Sequence, residues 1–176
     1  MLIAGERAPD FSLDGVTQLT RAGVTRAGVA QAGAAARTSL RSLAGRYVVV
    51  YFYPRDKTPG CTREGQAFSL AAAAFKKAGA VVLGISKDSV ATHASFAESC
   101  DITVPLLSDP DLAVHKAYGA YGEKTSYGKT TLGTIRTTVI VGPDGKVVRV
   151  FPKVKVDGHA DAVLAAILEH SQKRGR

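Results

Sequence analysis

The chain has 176 residues, of which 45% are hydrophobic and 22% charged, the balance of an ordinary globular protein long enough for one full core. Its formal charge of +8 at pH 7 raises the question of an anionic partner, yet the basic residues are spread along the chain outside one segment. No apolar stretch approaches membrane-spanning length. The opening MLIAGERAPDF has no signal-peptide core, and two cysteines are too few for a disulfide framework, so a reducing cytoplasm and thiols used for chemistry are expected.

Gly5 to Leu13 contains Pro9 and then a short alternation of polar and apolar residues, which predicts a small edge strand. From about residue 16 to 37 the composition shifts. TRAGV at Thr20–Val24 repeats at Thr25–Val29, and AQAGAAAR runs to Arg37. No acidic residue lies between Asp14 and Asp56, whereas Arg21, Arg26, Arg37, Arg41 and Arg46 all do. Glycines at a spacing of five march around a helix and weaken it, so this stretch reads as a surface insertion. The other reading is a basic arm for a polyanion, since arginine-rich segments neutralise phosphates.

Val48 to Tyr53 is an unbroken apolar run with three β-branched residues, the pattern of a strand buried on both faces of a largely parallel sheet. Pro54 stops it. Thr58-Pro59-Gly60-Cys61 then reads as a helix start, with Thr58 as N-cap and Pro59 at the first helical position. Phe68, Ala71, Phe75 and Ala78 mark one helix face ending at Gly79. Val81–Ile85 predicts a second buried strand, Asp88 or Ser89 caps a helix to about Cys100, and Val104–Leu107 is a short strand. Asp111 opens a helix containing Leu112, Val114 and Tyr118. Tyr121 to Gly133 reads as a Gly/Lys/Thr-rich loop. Thr137–Val141 and Val147–Phe151 flank Gly142-Pro143-Asp144-Gly145, a hairpin signal. Val163, Leu164, Ile167 and Leu168 give a terminal amphipathic helix, and QKRGR a solvated basic tail. Strands alternating with helices and then a hairpin predict an α/β layered fold in a single domain spanning 1–176.

Cys61 falls at the third helical position, facing the unpaired N–H groups of the first turn. A free thiol titrates near pH ~8.5, and lowering it below ~7 requires about 2 kcal/mol of preferential thiolate stabilisation. A helix N-terminus typically supplies ~0.3–1 kcal/mol, so a reactive Cys61 needs a nearby cation, and an arginine is expected. Without one, Cys61 is an inert, half-buried thiol. A CxxC couple is excluded because Thr58 and Glu64 occupy the flanking places. His93, His115, His159 and His170 do not share helical ligand spacing, so neither a metal site nor a cofactor is expected. Nucleotide-binding glycine motifs are absent from the sequence.

Pro54–Glu64, PRDKTPGCTRE, resembles the active-site motif of the peroxiredoxins, specifically the Q-type or bacterioferritin-comigratory subfamily, with the PxxxTxxC pattern on Pro54, Thr58 and Cys61. APDFSL, FYP, LGISKDS, PLLSDPD, YGKTTLGTIRTT and the PDGKV hairpin agree with it, leaving out roughly residues 16–37. The resemblance implies a thioredoxin-like fold, a central mixed sheet flanked by helices with an extra N-terminal strand or hairpin. It implies a thiol-dependent peroxidase for hydrogen peroxide and organic hydroperoxides, in which Cys61 is the peroxidatic cysteine passing through a sulfenic acid. Thr58 matches the hydroxyl that bonds peroxide and thiolate, Pro54 the residue shielding the sulfur, and Arg136 the missing cation. Glu64 resembles the carboxylate that orients Arg136; its bland alternative is a solvated first-turn acid.

Many members carry a resolving cysteine five residues after the first, where this chain has Gln66. In the other arrangement that cysteine lies on the helix after the second strand. Cys100 lies on the predicted helix, one turn beyond the usual place, now Ala97. Cys100 is thus either the resolving residue or a small core residue beside His93 and Phe96, the latter leaving a one-cysteine enzyme that uses an external thiol. Implied partners are hydroperoxides and thioredoxin or a similar thiol reductant, with the protein a monomer or weak homodimer and no membrane contact. Nucleic-acid binding is the reading from a different class, resting only on the charge and the acid-free segment.

Overall fold

The computed structural model describes residues 1–17 and 36–175. In chain order its elements are β1 (Ser12–Val16), β2 (Ala36–Ser39), a 3-10 turn (Arg41–Leu43), β3 (Tyr47–Phe52), α1 (Pro59–Leu70), α2 (Ala72–Lys77), β4 (Ala80–Ser86), α3 (Val90–Ser99), β5 (Leu106–Ser108), α4 (Ala113–Ala117), β6 (Tyr121–Ser126), β7 (Lys129–Thr134), β8 (Thr137–Val141), β9 (Val147–Phe151) and α5 (His159–Arg174).

A seven-stranded sheet runs β2-β1-β5-β4-β3-β8-β9. It is mixed: the β3–β4 and β4–β5 pairings are parallel, while β8 pairs antiparallel with β3 and β9, and β1 pairs antiparallel with β5 and β2. The central strand β3 is buried at every position, as its unbroken apolar run predicts. Because side chains alternate across a strand, β3 serves two cores. Tyr47, Val49 and Tyr51 pack with Phe68 and Phe75 of α1 and α2, Phe96 of α3 and Val163 and Ile167 of α5. Val48, Val50 and Phe52 pack on the other face with Phe11, Leu40, Tyr118 and Ala120.

Helix α1 buries Cys61, Glu64, Gly65 and Phe68, the i, i+3, i+4, i+7 stripe of an amphipathic helix. Phe68 stacks on Tyr51 with ring centroids 4.7 Å apart, and that contact turns the Cys61 face of the helix toward the sheet. The helix expected to run on to Gly79 breaks at Ala71, then resumes as α2 and ends ahead of Gly79, whose φ is +74°.

Several expectations need correction. The stretch Tyr121–Gly133 is not a loop but an antiparallel ribbon of β6 and β7, two strands outside the main sheet. Its Thr, Lys and Gly composition hides a strand pair because both faces are largely exposed and no apolar alternation is required. The strand expected at the edge over Gly5–Leu13 is instead β1 at Ser12–Val16, an interior strand paired with β2 on one side and β5 on the other, with only a single bridge from Arg7 to Lys146 earlier in the chain. The segment from 16 to 37 begins and ends in strand, since Gly15 pairs Ala36 and Asp14 pairs Arg37, with an ion pair at 3.0 Å between the latter two. The remainder, including the basic-arm reading, lies outside the described residues. Gly142–Gly145 does close the β8–β9 hairpin, with Gly145 at φ +78°.

Gly84, in the middle of β4, has no room for a side chain: an added Cβ would sit 2.6 Å from the Tyr51 hydroxyl and 2.9 Å from Leu106 Cδ2. Gly84→Ala is therefore expected to destabilise the fold by about 1–3 kcal/mol, an overpacking cost. Urea unfolding should show a lower midpoint at unchanged slope.

Candidate active site

Cys61 is placed by three local features. Thr58 takes extended backbone angles (φ −78°, ψ 150°) and its carbonyl receives the Thr62 N–H at 2.9 Å, so it is the N-cap. Pro59 follows at the first helical position, and Cys61 is third. The Thr58 hydroxyl does not cap the helix; it donates to the Arg55 carbonyl at 2.8 Å. Among the described residues no side chain caps the first-turn N–H groups, which therefore lend their positive end to whatever lies beside the sulfur.

The cation comes from far along the chain. Phe52 at the end of β3 pairs Thr137 at the start of β8, so the residue before Thr137 hangs over the same sheet end from which β3 leads into α1. That residue is Arg136. Its Nη2 donates to Cys61 Sγ at 3.3 Å and its Nη1 to Glu64 Oε2. Gly60 makes this approach possible: a Cβ there would lie 3.3 Å from Nη2. Cys61 is 2% exposed and Glu64 1%, so Glu64 is no solvated first-turn acid.

The electrostatics are those of charges held out of water. Burial pushes the Glu64 carboxyl up to about 7, against the opposing pull of the Arg136 guanidinium, and Glu64 Oε1 has no hydrogen-bond partner. Arg136 is held above its usual range chiefly by Glu64 and then by Cys61, which outweigh its own desolvation. His159 is only 7% exposed; burial first, and the Arg136 charge second, push it down to about 4. It stays neutral at pH 7, bonded to the Thr138 hydroxyl at 2.8 Å, so Arg136 has no rival cation there. Such an arrangement favours negative charge developing beside the sulfur.

Pro54 is half-buried between β3 and the helix start. Cys100 is the C-cap of α3 and half-exposed, while Ala97, one turn earlier, is buried. Both cysteines are free. Gln66 reaches across from α1 and donates to the Cys100 carbonyl at 3.0 Å, so the end of α3 lies against the second turn of α1. The structure thus gathers Cys61, Glu64 and Arg136 in direct contact, sets Thr58 and Pro54 on the preceding loop, and leaves Cys100 at an adjoining helix end.

Sequence reasoning missed the network behind that loop. Asp56 is 5% exposed; its Oδ1 accepts from the Tyr53 hydroxyl and its Oδ2 lies 2.7 Å from His93 Nδ1. The Asp56 N–H donates to Asp88 Oδ2 at 2.9 Å. The only sequence signal was an aspartate inside the motif, and nothing local links it to a histidine 37 residues away. Among the described residues no group of three or more His, Cys, Asp or Glu could hold a metal ion. Nor is any helix there long and apolar enough to cross a membrane.

Comparison with known proteins agrees with this geometry. The AhpC/TSA family profile matches residues 4–150. Peroxiredoxin Bcp of Xanthomonas campestris pv. campestris is 48% identical over 137 residues, 78% of this chain and 86% of that protein. A putative peroxiredoxin bcp of Helicobacter pylori is 40% identical over 169 residues, covering 94% and 98%. A solved structure of the X. campestris bacterioferritin comigratory protein, described for its alkyl peroxide reduction activity, superposes with a TM-score of 0.72 at 48% identity, covering 76% of this chain and 85% of that one. Mycobacterium tuberculosis AhpC, at 24% identity and a TM-score of 0.79 over 98% and 95% of the chains, shares the fold. A thiol lodged at a helix start under a guanidinium, on a thioredoxin-like mixed sheet, is thus found in a chain that belongs to the AhpC/TSA family and, within it, to the Q-type or Bcp peroxiredoxins, which are thiol-dependent peroxidases.

Proposed function

We propose that Cys61 is the peroxidatic residue and that the protein reduces hydrogen peroxide and organic hydroperoxides, with residues 1–176 acting as one domain. The observation that carries this is the single guanidinium bonded both to Cys61 Sγ, at 3.3 Å, and to the buried Glu64 carboxyl. In the first step the Cys61 thiolate attacks one peroxide oxygen and the O–O bond breaks. Sulfur loses two electrons and becomes a sulfenic acid, and the other oxygen leaves as water or an alcohol after taking a proton. Arg136 donates to the sulfur and stabilises the negative charge that passes from it to the two oxygens. The Thr58 hydroxyl, its proton committed to the Arg55 carbonyl, has lone pairs left to accept the hydroperoxide proton. Pro54 keeps bulk water from the sulfur, and Glu64 fixes the guanidinium.

Regeneration is assigned to Cys100. Its thiol attacks the sulfenic sulfur, the S–O bond breaks, the oxygen leaves as water with the thiol's proton, and a Cys61–Cys100 disulfide forms within the chain. The Gln66 bond to the Cys100 carbonyl supports this by putting the end of α3 beside α1. With Cys61 at the third position of α1, the first turn of that helix must open for the two sulfurs to meet. Thioredoxin or a similar dithiol in the cytoplasm then reduces the disulfide, and no bound cofactor is required. The protein acts as a monomer or weak homodimer. An external thiol acting directly on Cys61 is the alternative cycle.

Cys61→Ser should abolish peroxide turnover; normal turnover in that variant would end the reading. Treated with one equivalent of hydrogen peroxide, the protein should run under non-reducing mass spectrometry as a monomer lighter by two hydrogens. Cys100→Ser should accumulate sulfenic acid and lose thioredoxin-supported cycling while keeping the first reduction. Unchanged thioredoxin-supported cycling in Cys100→Ser would transfer regeneration to an external thiol.

Glu64 makes the folded protein pH-dependent in a definite direction. Its carboxyl is raised from 4.5 to about 7, so between those values the folded state holds more protons than the unfolded chain. That stabilisation is fully present below about pH 4.5 and lost as pH rises through about 7. Relative to Glu64→Gln, which cannot ionise, the unaltered protein should lose on the order of 2–3 kcal/mol between pH 5 and 8 in urea titrations. Parallel stability curves for the two proteins would show that Arg136 fully offsets the burial.

A further inference from the structure

Behind the active-site loop, His93 is fully buried and both of its ring nitrogens face acceptors. Nδ1 lies 2.7 Å from Asp56 Oδ2 and Nε2 lies 3.0 Å from the Leu107 carbonyl oxygen, with side chains 0% and 1% exposed for His93 and Asp56. A carbonyl oxygen can only accept. The second Asp56 oxygen already accepts the Tyr53 hydroxyl at 2.7 Å. An imidazolium beside a carboxylate satisfies both contacts; a neutral imidazole does so only if Asp56 carries the shared proton, and a carboxylic acid is ordinarily the stronger acid of the two, so the proton is placed on the ring.

We propose that His93 is a doubly donating imidazolium that, through Asp56, positions the Thr58–Cys61 helix start for the peroxidase reaction. This rests on the reading of Cys61 as the reacting thiol.

The mechanical route is short. Asp56 is the fixed point of the loop between β3 and α1. Its side chain is held by Tyr53 and His93, its N–H by Asp88, and Asp88 in turn by the Ser86 hydroxyl at 2.6 Å. The next residue, Lys57, has φ +64°, a left-handed conformation that a non-glycine residue adopts only where its surroundings impose it. Lys57 Nζ donates to Ser95 on α3 at 2.8 Å. Thr58 and the helix start follow at once. His93 is thus the buried, charged contact by which α3 and β5 fix a strained loop that carries the Thr58 hydroxyl and aims the first turn of α1. Asp56 and the imidazolium cancel each other's charge, so the pair adds order without a net field on Cys61. His93 does not touch the sulfur and is a positioning residue.

Two measurements test it. In the unaltered protein, a proton–nitrogen spectrum of the histidine rings at pH 7 should show N–H protons on both His93 nitrogens; a single N–H overturns the imidazolium. In His93→Ala, rapid mixing with hydrogen peroxide should show Cys61 sulfenylation slowed by roughly tenfold to a hundredfold, the cost of misplacing reacting groups by about 1 Å. Added imidazole should restore the rate, while thiazole, of the same ring shape but without N–H donors, should not. An unchanged rate in His93→Ala, or equal rescue by thiazole, overturns the positioning role. If His93→Ala does not fold, the ring spectrum of the unaltered protein decides. Absence of any reaction between the unaltered protein and peroxide would instead strike the Cys61 reading, so the two failures are separable.

Discussion

One guanidinium lies between a sulfur and a buried carboxylate, and the rest of the molecule can be understood as what holds it there. Arg136 lies 75 residues beyond Cys61 and 72 beyond Glu64 in the chain, so no local preference can join them. The join is made by strand register. With Phe52 opposite Thr137, the exit of β3 and the entry of β8 share one end of the sheet. A slip of one residue along β8 would turn its side chains to the opposite face and carry Arg136 away with them. The buried alternation Thr137, Val139, Val141 against Thr138, Ile140, split between the two cores, forbids that slip.

Stability is not what this triad supplies. Taking an arginine and a glutamate out of water costs several kcal/mol per ion, and their attraction only partly returns it. Burial raises the Glu64 carboxyl despite the adjacent cation, which is the signature of a contact the fold sustains at its own expense. The surrounding core makes this tolerable. Tyr51, Phe68 and Phe75 form a continuous aromatic run directly beneath α1, with ring centroids 4.7 and 5.8 Å apart. Each fully buried ring of this kind contributes roughly 1.5–3 kcal/mol by burial, so a few of them offset a costly pair.

Much of this was legible in the sequence, and for identifiable reasons. The run Val48–Tyr53 shows a buried strand because both faces are dry; Thr58-Pro59 shows a helix start because only that geometry suits a proline without an N–H. These two signals place Cys61. The need for a cation followed from comparing the size of a helix dipole with the size of the required shift, and the family resemblance then named Arg136. What stayed hidden depends on tertiary contact or on the lack of burial. Glu64 could be read equally as a solvated acid, because its burial comes from Arg136 and the sheet rather than from its neighbours in the chain. The β6–β7 ribbon was missed because its exposed strands carry no hydrophobic period. The link between Asp56 and His93 was invisible because a hydrogen bond between distant elements leaves no spacing rule.

The two ends of α3 are held very differently, and that asymmetry bears on the proposed catalytic cycle. At its N-terminal end Ser89 caps the Thr92 N–H at 3.2 Å, Lys57 bonds Ser95, and His93 is locked between Asp56 and Leu107. At its C-terminal end Phe96, Ala97 and Ile102 are buried and the Thr103 N–H donates to Ser69 of α1 at 2.9 Å, but Cys100 itself is half-exposed beside Asp101 at φ +53°, with an exposed hydrogen bond from Gln66 to its carbonyl. Local opening follows the sparsest and most solvated contacts. If Cys100 is to meet Cys61, the segment carrying the Cys100 thiol moves together with the first turn of α1, while the N-terminal half of α3, bonded to the β3–α1 loop, keeps its place. A helix anchored through its first two turns, with its half-exposed thiol beyond the last buried residue, can bring that sulfur toward an opened first turn of α1 while its own buried face stays in the core.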